Sequence, residues 1–79
     1  DYAAALEYYG KAVQAAKEKN SKDPAPDALC MEAAQLCVEM GDIPKARAYA
    51  VEATFLNPNN LNAKHFLEHF AEVEKGGNS

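Results

Sequence analysis

The chain has 79 residues, of which 48% are hydrophobic and 25% are charged, and its net charge is -4. This length provides for one small domain with a modest core. The acidic balance argues against nucleic acid as a partner, because phosphate binding needs a basic patch. No apolar run approaches the roughly 20 residues of a membrane-spanning helix, so binding to a membrane is not expected either.

The first predicted helix covers residues 2–19. Its apolar side chains recur at three- and four-residue steps, at Tyr2, Leu6, Tyr9, Val13 and Ala16. The segment 20–26 contains two prolines, a serine and an aspartate. That composition predicts a loop.

Stop and start signals predict two further helices. Asp27 is expected to cap a second helix that ends near Met40, with Gly41 in the left-handed conformation. A third helix begins over residues 42–44 and halts before Pro58, because proline lacks an amide donor and disfavours a helical residue before it.

The last predicted element is a fourth helix over residues 61–74. Asn59 or Asn60 is expected to cap it, and the tail 76–79 is expected to be disordered. No strand signal occurs anywhere in the sequence. The predicted fold is therefore all-α, with one helical domain over residues 1–75.

Small residues recur at fixed spacing through the segment 27–60, around a Gly-Asp turn and before a closing proline. The small residues are Cys30, Ala33, Ala34, Cys37, Ala46, Ala50 and Ala53, and the closing proline is Pro58. This pattern resembles the tetratricopeptide repeat, a helix-turn-helix unit of about 34 residues, with cysteines where that family has large aromatic residues. The resemblance implies antiparallel helix pairs in a solenoid that binds another protein.

The first helix matches the third at a constant offset of 41 residues. Tyr2, Ala5, Tyr9 and Ala12 align with Ile43, Ala46, Ala50 and Ala53. The offset exceeds the family period by about seven residues, which places the extra residues between the first and second helices. The first helix then belongs to a preceding repeat. Because the chain also begins at Asp1 rather than at a methionine, we expect it to be the C-terminal part of a longer solenoid.

The resemblance also implies a groove, because the first helix of each repeat lines the concave surface in this family. The partner-binding residues are then Met31, Gln35, Glu39, Asn62, His65 and His69, with Ala28 on the same face. They combine apolar contact with hydrogen bonding, which suits a peptide or protein partner. One subset of the family clamps the C-terminal carboxylate of heat-shock chaperones with basic residues. The clamp's basic groups are missing here, and Glu32 would repel a carboxylate.

The two terminal helices depart from the repeat in opposite ways. Glu68 stands where a small residue is usual, and burying it would be costly. The fourth helix is therefore expected to be a cap whose outer face is wet. The first helix lacks its own partner helix, so an exposed apolar face is expected there. The cap face carries Lys64, Glu68 and Glu72, and the apolar face of the first helix carries Leu6, Tyr8 and Tyr9.

No combination of residues predicts catalysis or a cofactor. His65 and His69 match an inverted zinc-protease signature, but no third ligand is evident, so we predict no metal site. Cys30 and Cys37 lie seven residues apart in one helix. That is too far for a disulfide and indicates reduced thiols in a cytoplasmic or nuclear protein.

The function predicted from the sequence is therefore a protein-interaction module without enzymatic activity. Three alternatives remain open. The first is self-association through the first helix, as a structural element of an assembly. The second is a metal-dependent enzyme built on His65 and His69. The third is a structural spacer that binds no partner in its groove.

Overall fold

The computed structural model describes residues 1–78, with side-chain surroundings over residues 1–70. Within that part the chain forms four helices, α1 (Tyr2–Lys19), α2 (Pro26–Met40), α3 (Ile43–Leu56) and α4 (Leu61–Asn78). No strand occurs between residues 1 and 78. The predicted all-α class is confirmed.

The helices pack in chain order as antiparallel neighbours, α1 on α2, α2 on α3 and α3 on α4. The Cα atoms extend over 44 × 31 × 13 Å. The smallest dimension matches two layers of helices, because axes pack about 8–10 Å apart and Cα atoms lie about 2.3 Å from each axis.

Small side chains form most of the buried interior. The residues with 0% exposure are Cys30, Ala33, Ala34, Cys37, Ala46, Ala50, Ala53 and Ala63. Seven of these are the cysteines and alanines that the repeat-like spacing singled out. Val13 and Leu29 supply the larger side chains of a cluster to which all four helices contribute. The seven small residues of 27–60 are thus buried, and they let α2 and α3 approach closely.

The turn between α2 and α3 follows the prediction. Gly41 adopts a φ of 83° after α2. Asp42 then caps α3, and its Oδ1 accepts a hydrogen bond from the Lys45 backbone N–H at 3.2 Å. At the start of α4 the cap is Asn60 rather than Asn59, because Asn60 Oδ1 accepts a hydrogen bond from the Ala63 N–H at 3.0 Å.

Replacing Gly10 or Gly41 with alanine should change the free energy of unfolding in opposite directions. Gly41→Ala should destabilise the protein by about 1 kcal/mol, because a left-handed conformation crowds the added Cβ. Gly10→Ala is the matched control, since Gly10 lies inside α1 and nothing beyond its chain neighbours and the adjacent helix backbone stands within 4 Å of the Cβ position. It should stabilise the protein by about 0.5 to 1 kcal/mol. Urea unfolding followed by circular dichroism measures both, and a shift of the same sign in the two variants would contradict this assignment.

The start of α2 corrects the prediction for Asp27. The helix begins two residues earlier, with Pro26 in its first turn and Ala25 at the cap position, where proline's fixed φ is suitable. Asp27 is buried instead, and its Oδ2 accepts hydrogen bonds from Asn57 Nδ2 at 3.1 Å and Asn60 Nδ2 at 2.8 Å. This carboxylate therefore ties α2 to the connection between α3 and α4.

The end of α4 also differs from the prediction. The helix continues to Asn78 rather than ending at Glu74, so residues 76–78, expected to be a disordered tail, are helical. Glycine lowers helix propensity by about 1 kcal/mol but keeps its N–H donor. Gly76 and Gly77 therefore do not force a stop as a proline does. Ser79 lies outside the described residues.

Candidate functional site

The solvent-facing side of α2 separates two grooves. Ala28, Glu32, Gln35 and Glu39 are exposed and follow one another at steps of four, three and four residues, so they share one face of the helix. The opposite face is buried against α1 and α3. Met31 and Leu36 are half-buried and flank the exposed stripe.

The larger groove lies between α2 and α4 and has a volume of about 530 Å³. We name it the α2–α4 groove, and its lining residues are Ala28, Met31, Glu32, Gln35, Asn60, Asn62 and Phe66. Its floor is apolar, because Met31 and Phe66 pack against the buried cluster of Ala34, Cys37 and Ala46. Amide and carboxylate groups form its rim. The groove thus offers an apolar contact together with hydrogen-bonding side chains.

The smaller groove lies between α1 and α2 and has a volume of about 320 Å³. We name it the α1–α2 groove, and its lining residues are Ala5, Tyr9, Glu32, Gln35, Leu36 and Glu39. The Tyr9 hydroxyl donates a hydrogen bond to Glu32 Oε1 at 3.2 Å. Burial, the charge of Glu32 and this hydrogen bond together raise the pKa of Tyr9. Glu32 and Gln35 line both grooves. They therefore form a ridge between the two.

The six residues predicted to bind a partner do not all come together. Met31, Gln35 and Asn62 line the α2–α4 groove, whereas Glu39 lines the α1–α2 groove. The exposed residues His65 and His69 line neither groove, and the His69 ring packs edge-on against Phe70 with centroids 4.9 Å apart. Phe66, the neighbour of His65 in the chain, lines the α2–α4 groove instead, and a binding role for the two histidines stays a prediction.

Three lining residues of the α2–α4 groove were not among the six predicted partner-binding residues, although Glu32 was already expected to repel a carboxylate there. Glu32 stands four residues after Ala28 on the exposed stripe, and helical periodicity alone could have indicated it. Phe66 stands four residues after Asn62, and the same helical periodicity could have indicated it. Asn60 caps α4, and its place in the groove follows from how the α3–α4 connection packs.

The three residues predicted to form the exposed apolar face of α1 differ in their exposure. Leu6 and Tyr9 are half-buried against the two core clusters, and only Tyr8, at 64%, is largely exposed. Consecutive residues of a helix point about 100° apart, so Tyr8 cannot share the inward face of Tyr9. On α4, Lys64 and Glu68 are exposed as predicted, and the side chain of Glu72 lies outside the described residues.

The two cysteines are free and buried, as predicted. Burial raises the pKa of Cys30 from its ordinary value of 9.0 to about 11, and the charge of Glu52 adds to the rise. Burial also raises the pKa of Cys37. Both thiols are therefore protonated at neutral pH and are weak nucleophiles and metal ligands there.

The raised pKa values of these thiols predict that the protein loses stability in alkaline solution. A folded-state pKa above the unfolded value means that the contribution of Cys30 is complete below pH 9 and falls as the pH rises toward 11. The free energy of unfolding, measured with urea across this interval, should decrease with pH. Cys30→Ala should make that decrease smaller. An unchanged slope in this variant would contradict the assignment.

Among residues 1–70, no group of three or more histidine, cysteine, aspartate or glutamate side chains is arranged to hold a metal ion. His65 and His69 can therefore offer two ring nitrogens, with no third ligand from this part of the chain. None of the helices within residues 1–78 has the length and apolar content needed to cross a membrane.

Comparisons of the chain with protein-family models, with curated proteins and with solved structures give no significant match. The resemblance to the tetratricopeptide repeat therefore rests on the residues of this chain and on their positions.

Proposed function

We propose that this chain is a protein-interaction module of the tetratricopeptide type that binds a polypeptide segment in the α2–α4 groove. The groove itself is the observation that carries the proposal. Its apolar floor of Met31 and Phe66 lies beside the amides of Gln35 and Asn62. This combination suits a peptide, whose side chains need apolar contact and whose backbone needs hydrogen-bonding partners.

The arrangement of the helices supports the repeat assignment. The seven small residues of 27–60 are fully buried, and the helices contact one another in sequence. A helical repeat buries its apolar face only by stacking on its neighbours. We therefore infer that the chain belongs to a longer array, in which the groove continues onto other repeats.

The proposed role includes no catalysis and no cofactor. We place the protein in the cytoplasm, with the nucleus as the alternative. The buried, protonated thiols support a reducing compartment. Binding then depends on surface complementarity, and it needs no chemical step.

Site-specific photocrosslinking in cells that make the protein tests this function. A benzophenone amino acid at Gln35, which is exposed and lines both grooves, should give a discrete crosslinked species. The same group at Glu18 is the control, because this exposed α1 residue lines neither groove. No adduct from Gln35, or the same adducts from both positions, would contradict the proposal.

Self-association through α1 is a second candidate, and one comparison within the chain favours it. Ala46 and Ala53 of α3 are fully buried, whereas Ala5 and Ala12, their counterparts at the 41-residue offset, are only half-buried. A further helix packed on α1 would cover these alanines. Sedimentation distinguishes the candidates, because a monomer at micromolar concentration would count against self-association.

A further inference from the structure

The ridge between the two grooves is negatively charged. Glu32 and Glu39 are the charged residues among those that line the grooves, and no lysine, arginine or histidine of residues 1–70 lines either of them. Two of the basic residues pair with carboxylates elsewhere, Lys11 with Glu7 at 3.2 Å and Lys17 with Glu52 at 3.3 Å. The potential at the ridge therefore attracts a cation.

Glu32 is positioned to receive a positively charged side chain. Its Oε1 accepts the hydrogen bond from Tyr9, which orients the carboxylate on the ridge. A carboxylate has about four acceptor positions, so one hydrogen bond from tyrosine leaves capacity for a lysine or arginine of a partner. The residue is exposed, and a ligand therefore reaches it without rearrangement of the helix.

The apolar floor lies directly beside this charge. Met31 and Glu32 are consecutive residues that both line the α2–α4 groove, and Phe66 completes the floor from α4. Methionine adapts its shape to different side chains, and the Phe66 ring is supported by Phe70, with centroids 4.5 Å apart. An apolar anchor and a cationic group on one partner segment can thus be bound together.

We propose that the segment bound by this surface is basic, with an apolar side chain in the α2–α4 groove and lysine or arginine side chains on Glu32 and Glu39. This inference rests on the proposed function and adds the chemistry of the partner. Glu32 and Glu39 lie two helical turns apart, about 10 Å along the axis, which about three residues of an extended chain span. The matching segment carries two basic residues three positions apart. Acidic segments are repelled by the same carboxylates.

Selection from a random peptide library on the immobilised chain tests this chemistry. Enriched peptides should carry paired lysine or arginine residues together with an apolar residue. The affinity of one such peptide is then measured by fluorescence anisotropy with two variants of equal charge. Glu32→Gln/Glu39→Gln should weaken binding about fivefold to tenfold. Glu18→Gln/Glu68→Gln changes exposed residues outside both grooves and should weaken binding less than about twofold.

The possible outcomes separate this inference from the proposed function. Equal weakening by the two double variants would mean general charge attraction and would overturn the inference. Enriched peptides without excess basic residues, whose binding is lost in Gln35→Trp, would overturn the basic partner but retain the groove as a binding site. A selection that enriches no peptide would count against both proposals.

Discussion

Replacing Leu29 with alanine is expected to destabilise the protein by about 2 to 5 kcal/mol, the usual range for a buried leucine. Leu29 is 5% exposed in the cluster with Val13, Ala16, Ala53 and Ala63. Alanine neighbours cannot extend into the space left by the deleted atoms, so a cavity should persist. A domain of 79 residues has a total stability of about 4 to 12 kcal/mol. The variant should therefore lose a large fraction of its stability.

Leu61→Ala is the matched control, because it deletes the same atoms from a leucine that is 63% exposed at the start of α4. Its free energy of unfolding should stay within about 0.5 kcal/mol of the parent value. Urea denaturation of both variants measures the difference. Equal losses of stability would contradict the placement of Leu29 in the core.

Enlarging Ala46 to leucine is expected to destabilise the protein by about 1 to 3 kcal/mol through overpacking. Ala46 has 0% exposure and packs with Ala34 and Cys37 where α2 and α3 meet. The added methine and two methyl groups have no empty space to occupy, so the two helices must separate or the side chain must adopt a strained rotamer.

Ala48→Leu, in the same helix, gives the control for helix propensity and for added apolar volume. Ala48 is exposed, so leucine there should change the free energy of unfolding by less than about 0.5 kcal/mol. Thermal and urea unfolding of the two variants can be compared directly. If Ala46→Leu were as stable as Ala48→Leu, this result would contradict the close contact assigned between α2 and α3.

The helices and the buried positions of the central segment were predictable because their signals are local. Gly41, Asp42 and Pro58 determine where α2 and α3 end and begin, and the spacing of the small residues indicates which faces touch. Asp27 shows the limit of local signals. Its hydrogen bonds reach Asn57 and Asn60, about thirty residues away, whereas sequence spacing suggested an N-cap.

The candidate site was predictable only in part. A repeat pattern indicates which side of a helix faces a groove, and it placed Met31, Gln35 and Asn62 there. It does not determine how far α4 is rotated about its axis as it packs on α3. That rotation brings Phe66 into the groove and leaves His65 outside it. Glu32 and Gln35 separate the α1–α2 groove from the α2–α4 groove, and this too depends on how α1 and α4 pack on either side of α2.

The strongest rival to the groove is the apolar patch on α3. Val51 and Phe55 are four residues apart on one face, and their exposures are 52% and 87%. Exposed apolar patches often mark interaction surfaces. A bound partner must therefore be located on the protein as well as detected.

NMR of the backbone amides locates the bound partner most directly. The chain is titrated with a selected peptide or with the segment identified by crosslinking. We expect the largest shift changes at Met31, Glu32, Gln35 and Phe66, with saturation at the affinity measured by anisotropy. Shift changes centred on Val51 and the rest of the α3 patch, with the groove amides unmoved, would contradict the assignment of the α2–α4 groove as the binding surface.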